Sequence, residues 1–276
     1  MFNLTNTLHL QPVMLSKGQP DAATTLWALT GFSAALLICF LAAAVIDTRT
    51  LDTMNVWIKP AKFAVSFAIF FATLALVVGR MSAAAQTGRW MRWTLPTLAI
   101  VGCGEMLYIG LQAGRAARSH YNYEGALYNI LYGLMGVGAV LLVLGVGIIG
   151  WLVAKDGGLR MGPRLRQGVQ WGFISACFLT LITAGTLSSL KSHFVGVPKL
   201  DAAVMPLLGW SMQVGDLRPS HFLALHAMQA LPLLGLWMDS IGHKRALTMA
   251  SAAAIYMALT LVVFVQALMG YPLIGA

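Results

Sequence analysis

Charged side chains are scarce in this sequence. They make up 10% of 276 residues, whereas a soluble domain has about 25%. No polar stretch is long enough for a soluble domain, so we predict a single membrane domain over residues 1–276. Hydrophobic residues reach 58% and the mean hydropathy is +0.76, which indicates an integral membrane protein.

Cysteine and acidic residues are also rare. Cys39, Cys103 and Cys177 lie inside apolar segments without the spacing of metal ligands, so they indicate neither a disulfide framework nor a zinc motif. The sequence has nine Asp and Glu residues and 18 Lys and Arg residues. These basic residues form no separate domain that could bind nucleic acid, so we expect membrane lipids as their partners. The first 23 residues lack a basic region followed by an apolar core, so no cleavable signal peptide is expected.

Long apolar runs make up most of the sequence. A helix needs about 20 apolar residues to cross about 30 Å of hydrocarbon. These runs do not alternate as barrel strands would, so we predict an all-α polytopic bundle of seven transmembrane helices. The predicted spans are 24–46, 58–79, 93–114, 125–154, 169–191, 220–239 and 246–270.

The loops carry the signal for orientation. Nine basic residues follow spans two, four and six, and nine others are assigned to the opposite side. The first group is Arg80, Arg89, Arg92, Lys155, Arg160, Arg164, Arg166, Lys244 and Arg245, and the second is Lys17, Arg49, Lys59, Lys62, Arg115, Arg118, Lys191, Lys199 and Arg218. Lys59, Lys62 and Arg115 fall on helical stripes, so the count becomes nine to six and predicts that the first group is cytoplasmic. We accordingly expect a protein of the bacterial inner membrane with its N-terminus outside and its C-terminus in the cytoplasm.

Polar residues recur along one face of the second span. Lys59, Lys62 and Ser66 follow three- and four-residue steps, which place them on one side of a helix. The two lysines suit either a binding site or contact with headgroups through their long stems.

The third span carries a second polar stripe, formed by Glu105, Tyr108, Gln112 and Arg115. Glu105 lies about 15 Å from the helix end at 1.5 Å per residue. An unpaired carboxylate at that depth costs several kcal/mol or stays protonated. We therefore expect Lys62 as its partner and treat Glu105 as a functional candidate.

Histidines collect towards one side of the predicted membrane. His120, His193, His221 and His226 belong to this side, whereas His9 and His243 do not. Arg118, Arg218 and Gln229 accompany them in the same segments. Four histidines together with Glu105 and several cations predict a polar site facing outwards.

Three segments, WIKPAKF, QAGRAARSHYN and GDLRPSHFLALHAMQ, resemble signatures of a family of bacterial polytopic membrane proteins. The family patterns read WxKPxKF, QxxRGxRSHFN and GDLRxxHFxGLHALQ. This sequence has Ala116 where the pattern has glycine and Tyr121 where it has phenylalanine. The resemblance covers most of spans two to six and implies the topology and the limits of the motifs, but no activity.

Three functions fit these residues. In the first, a transition metal or haem b serves a membrane oxidoreductase or metalloenzyme that acts on a small or lipid-soluble substrate. Its predicted metal ligands are His226, His221, His120 and His193, its catalytic residues are Glu105, Lys62 and Tyr108, and its substrate-binding residues are Gln112, Arg115, Arg118, Gln229, Arg218, Lys59 and Ser66.

The second function is a transporter or receptor for a small anionic solute, with the same cations lining a polar vestibule. The third is an assembly subunit that binds anionic lipids, either as a homo-oligomer or beside a partner membrane subunit. The sequence does not decide between these three functions, and it does not decide whether the protein is an enzyme.

Overall fold

The computed structural model describes residues 21–52, 54–199, 202–206, 208–242 and 248–275. His9, Lys17, His243, Lys244 and Arg245, which entered the sequence predictions, lie outside these residues.

Helices account for nearly all of the regular structure. The long helices are α1 (Ala22–Ile46), α2 (Ile58–Val78), α4 (Arg89–Gly114), α5 (Ala126–Lys155), α6 (Pro163–Leu190), α7 (Arg218–Ser240) and α8 (Met249–Leu268), and α3 (Ala83–Thr87) is a short helix between α2 and α4. The seven long helices are each apolar and long enough to cross a membrane. The predicted all-α bundle of seven spans is therefore confirmed.

Two short strand pairs occur at one end of the bundle, which we call the strand end. β1 (Thr50–Leu51) pairs antiparallel with β2 (Met54–Asn55) in the loop between α1 and α2. β3 (Phe194–Val195) follows α6 and pairs antiparallel with β4 (Gly215–Asp216), which precedes α7. One pair therefore lies within the connection from α1 to α2, and the other joins the two ends of the longer connection from α6 to α7.

The other end, which we call the basic end, is formed by loops that bond to one another. Ser82 N donates to Asp156 Oδ2 at 2.7 Å, and Arg160 N donates to the Arg80 carbonyl at 2.9 Å. Asp239, near the end of α7, accepts from the backbone N–H groups of Arg164 and Leu165 at 3.1 and 2.8 Å. A carboxylate is favourable there because the N-terminus of α6 carries partial positive charge.

The position of α1 corrects one sequence prediction. Ala22, Ala23 and Leu26 belong to the same hydrophobic core as Val77 and Val78, and a Cβ on Gly79 would lie 3.5 Å from Ala23 Cβ, so α1 begins where α2 ends. The start of α1 therefore shares the basic end with the loops after α2, α5 and α7. Seven spans alternate in direction, so the loops after α2, α5 and α7 lie on the side of the start of α1, and the end of α8 lies on the other side. The prediction that both these loops and the C-terminus are cytoplasmic was therefore wrong.

Helices α6 and α7 pack closely through glycine. A Cβ on Gly168 would lie 2.5 Å from the Leu231 carbonyl oxygen, and one on Gly172 would lie 2.6 Å from that of Ala227. A Cβ on Gly235 would lie 2.4 Å from the Arg164 carbonyl oxygen. Small residues allow this backbone approach, which supplies the dispersion contacts that hold helices together in lipid.

Candidate functional site

A cleft of about 540 Å³ opens at the strand end. It lies between the start of α2, the last turns of α4 and the loops that follow α1, α4 and α6. Its charged and polar lining residues are Asp52, Asn55, Lys59, Arg118, Ser119, His120, Tyr121, Lys191, Ser192 and His193. Four residues that the sequence predicted separately, Lys59, Arg118, His120 and His193, thus share one cleft.

An ion pair joins two walls of the cleft. Arg118 donates from Nε to Asp52 Oδ2 at 3.0 Å and from Nη2 to Asp52 Oδ1 at 2.5 Å. This two-pronged bond with Arg118, helped by the charge of Lys59, holds the pKa of the Asp52 carboxyl below its usual value. The cleft therefore contains a charged carboxylate already engaged by an arginine.

The loop after α4 is fixed from within. Gln112 Nε2 and Asn122 Nδ2 each donate to the Arg118 carbonyl at 3.1 Å. Both side chains are buried. Gln112, which was predicted to bind substrate, thus helps to position the backbone that carries Arg118.

Left-handed backbone is concentrated around this cleft. In the described part of the chain, four residues other than glycine have a positive φ, namely Asp52, Ala116, Tyr121 and Lys191, with φ between 51° and 54°. Three of them line the cleft. Such conformations cost about 1–3 kcal/mol each and persist where the surrounding structure enforces them, often at functional sites.

Lys59 and Lys191 bring positive charge to the cleft. Lys59 is partly buried in the first turn of α2, and Lys191 is exposed where α6 ends, with its ammonium 5.5 Å from the centre of the Tyr123 ring. With Arg118, the described residues of the lining comprise three cations and one carboxylate, Asp52, an excess of two positive charges.

The two histidines of the cleft belong to an aromatic cluster. His120 lies 5.3 Å from the Phe63 ring, and His193 meets the Tyr121 ring edge-on at 4.8 Å. Burial lowers the pKa of His120 to about 3, and burial together with the Arg218 charge lowers that of His193. Both rings are therefore neutral at pH 7 and carry one donor and one acceptor nitrogen.

The other two histidines lie elsewhere. His221 Nδ1 is 3.1 Å from the Thr183 hydroxyl of α6, and His226 Nδ1 is 3.2 Å from Gln229 Oε1. Gln229 Nε2 in turn donates to the Thr73 hydroxyl of α2 at 3.2 Å. Neither histidine lines the cleft, so the structure does not gather the four predicted metal ligands. Among the described residues, no group of three or more His, Cys, Asp or Glu side chains is placed to hold one metal ion.

Two residues of the predicted stripe, Glu105 and Arg115, meet α5. Arg115 Nη2 donates to the Tyr128 hydroxyl at 2.9 Å, and a Cβ on Gly138 would lie 2.8 Å from Glu105 Oε1. The Tyr108 hydroxyl is buried, and no hydrogen bond of standard geometry reaches it within the described residues.

The expected pair between Glu105 and Lys62 does not form in the described part of the chain. Lys62 is exposed on α2, where its backbone carbonyl accepts from the Ser66 hydroxyl at 3.0 Å. Lys62, Ser66 and Glu105 also lie outside the cleft lining. Of the three predicted residues on α2, only Lys59, in the first turn, therefore lies close enough to the loops to line the cleft.

Arg218 organises the long connection before α7. Its guanidinium donates to Asp216 at 2.6–3.2 Å and to the Gly209 carbonyl at 2.7 Å. The Asp216 side chain has no solvent exposure, and Asp216 also accepts from the Ser211 backbone N–H. A Cβ on Gly215 would lie 2.0 Å from the Ala267 carbonyl oxygen, so this position has no room for a side chain. The segment from Gly215 to Arg218 therefore seals the loop against α8.

Several cleft residues were missed by sequence reasoning. Asp52 and Tyr121 lie in irregular loops, where no helical spacing marks which side chains converge. Lys191 was counted only as a loop charge. The signal that would have found Asp52 is its position in a short polar connection between two spans, where a carboxylate can pair with the arginines of the neighbouring loop.

In comparisons with known proteins, no family model, no curated protein and no solved structure matches this chain. The fold is that of an integral membrane protein with seven spans. Its function has to be argued from the cleft itself.

Proposed function

We propose that the protein is a membrane receptor or transporter that binds a small anionic solute in the cleft at the strand end. The observation that carries this proposal is the charge of the lining, where three described cations, Lys59, Arg118 and Lys191, outnumber the one described carboxylate, Asp52. A concave site with an excess of cations and low-dielectric walls attracts and concentrates anions. The volume of about 540 Å³ is in the range of small-molecule sites.

The neutral histidines add hydrogen-bonding specificity. A neutral imidazole donates from one nitrogen and accepts at the other. His120 Nδ1 is 3.1 Å from the Ser119 hydroxyl, so His120 Nε2 and the His193 ring are the groups that suit a solute with both an anionic group and a hydroxyl or amine. Arg118 is already held by Asp52, which fixes the direction of its remaining N–H groups. Lys59 is the cation whose removal most directly tests the proposal, because no carboxylate lies within ion-pair distance of it among the described residues.

The alternative of a metal- or haem-dependent oxidoreductase stays a prediction with less support from the geometry. Two of its four proposed ligands, His120 and His193, share the cleft, and the other two bond to Thr183 and Gln229. Elemental analysis and an absorption spectrum of the purified protein test it directly. A stoichiometric transition metal or a Soret band that is lost in both His120→Ala and His193→Ala would establish that alternative.

The decisive experiment compares two lysines on the same helix. Binding of phosphate, sulfate and small dicarboxylates to the detergent-solubilised protein is measured by calorimetry. We expect Lys59→Gln to weaken binding about tenfold or more, because a hydrogen bond between charged groups contributes about 1.5–3 kcal/mol. Lys62→Gln is the matched control and should leave the affinity unchanged, since Lys62 lies outside the cleft.

Two results would overturn the proposal. One is that the wild-type protein binds none of these anions, and the other is that both lysine variants weaken binding equally. Where binding is found, flux of the bound anion into proteoliposomes separates a transporter from a receptor.

A further inference from the structure

In the described part of the basic end, each carboxylate accepts hydrogen bonds from backbone N–H groups. Asp21 accepts from the Thr24 N–H, Asp156 from those of Ser82 and Gly158, and Asp239 from those of Arg164 and Leu165. The three ion pairs found in the described chain all lie at the strand end, between Asp47 and Arg49, Asp52 and Arg118, and Asp216 and Arg218. The described carboxylates at the basic end therefore serve to hold backbone N–H groups.

Two arginines are held side by side at this end. Arg80 Nη1 donates to the Leu76 carbonyl at 2.6 Å, and Arg160 Nη2 donates to the Gly79 carbonyl at 3.0 Å. Both guanidiniums thus bond to the last turn of α2, where the partial negative charge of the helix C-terminus favours cations. Burial and the neighbouring Arg160 charge lower the pKa of Arg80, which indicates that the two cations repel each other. An anion between them would relieve this repulsion.

Tryptophan marks the depth of these arginines in the membrane. Trp90 and Trp151 meet edge to face at 5.8 Å, where α4 begins and α5 ends. Both are substantially exposed, as are Trp93 and Trp237. Exposed tryptophans gather at the boundary between hydrocarbon and headgroups, so Arg80 and Arg160 lie at the level of lipid phosphates.

We propose that Arg80 and Arg160 form a binding site for the phosphate of an anionic phospholipid headgroup at the basic end. Arginine suits this ligand because its planar N–H fork matches the phosphate oxygens. The site is separate from the cleft, so either can exist without the other.

Native mass spectrometry of the full-length protein tests the site, with phosphatidylglycerol and phosphatidylcholine as probes. We expect the wild type to retain phosphatidylglycerol in preference to phosphatidylcholine. The double variant Arg80→Gln/Arg160→Gln should bind phosphatidylglycerol roughly thirtyfold more weakly, given the usual contribution of two basic residues near an anionic surface. The control Lys62→Gln/Lys199→Gln removes two exposed charges elsewhere and should leave retention unchanged.

A second variant covers the case in which the glutamine variant does not fold. Arg80→Lys/Arg160→Lys keeps both charges but lacks the planar fork, so its retention should fall several-fold below that of the wild type. Equal retention in the wild type and this variant would overturn the paired site, as would equal losses in the glutamine variant and its control. Inorganic phosphate that binds the lipid-free protein as tightly as phosphatidylglycerol does would overturn the lipid assignment.

Discussion

At the scale of single residues, the left-handed backbone at Ala116 is the clearest departure from an unstrained chain. Its φ is 52°, a conformation that costs residues with a Cβ about 1–2 kcal/mol and glycine almost nothing. Glycine at this position would adopt the same conformation without that cost.

We predict that Ala116→Gly stabilises the protein by about 1 kcal/mol, because the relief of strain exceeds the added entropy of the unfolded chain. The measurement is the free energy of unfolding in mixed micelles. Ala117→Gly is the matched control and should destabilise the protein, since Ala117 does not have a positive φ. Equal effects of the two substitutions would show that strain at residue 116 is absent.

His120 gives a prediction for pH. Its pKa falls from 6.5 to about 3 on folding, so between these values the unfolded state binds more protons than the folded state. Stability is therefore fully present above pH 6.5 and is lost as the pH falls towards 3. His193 acts in the same direction because its pKa is also lowered.

The test is the unfolding midpoint measured from pH 7 to pH 5, a range in which ordinary carboxylates stay charged. We expect the wild-type midpoint to fall with the pH and the slope to be smaller in His120→Asn. A midpoint that rises on acidification, or an unchanged slope in the variant, would contradict a buried neutral imidazole.

At the scale of elements, the contact between α6 and α7 depends on the absence of side chains. A Cβ on Gly172 would lie 2.6 Å from the Ala227 carbonyl oxygen and 2.9 Å from Pro232 Cδ. Backbone atoms cannot rotate away as a side chain would, so the helices must separate. We predict that Gly172→Ala destabilises the protein by about 1–3 kcal/mol.

Gly185 provides the control on the same helix, because no atom of the described residues, apart from its chain neighbours and its own helix backbone, lies within 4 Å of the place its Cβ would take. Gly185→Ala should be neutral or stabilising by up to about 1 kcal/mol, since alanine is the better helix former. Both variants are compared by unfolding in mixed micelles. A destabilisation of equal size at the two positions would argue against a packing role for Gly172.

The sequence predicted the helices better than the connections. The predicted and observed limits of α2 differ by one residue, because hydropathy alone defines that span. Helix α6, however, begins at Pro163 rather than at residue 169. Its polar first turns are stabilised by the Asp239 side chain from a distant helix, and such a contact leaves no trace in local hydropathy.

The same distinction explains the candidate site. Lys59 and Arg118 were found because spacing and depth mark residues on or just beyond a helix. The expected pairing of Glu105 with Lys62 did not form, because spacing defines a face but not the helix that the face meets. Asp52 and Tyr121 reached the cleft through left-handed turns, whose geometry depends on contacts between loops.

At the scale of the whole molecule, the two ends differ in how their charges are used. Arginines at the strand end bond to Asp47, Asp52 and Asp216, whereas the carboxylates at the basic end bond to backbone N–H groups. Short loops rich in lysine and arginine remain in the cytoplasm during insertion. We therefore propose that the basic end is cytoplasmic, which places the start of α1 inside and the end of α8 outside.

Two single-cysteine variants test this orientation in a background whose three native cysteines are changed to serine. Gly157→Cys lies in an exposed loop at the basic end, and Val197→Cys lies at the strand end, where Val197 is 90% exposed. We predict that a membrane-impermeant maleimide labels Val197→Cys in intact spheroplasts and labels Gly157→Cys only in inverted vesicles. The reverse labelling would place the cleft in the cytoplasm, where its anion would be a metabolite rather than an external solute.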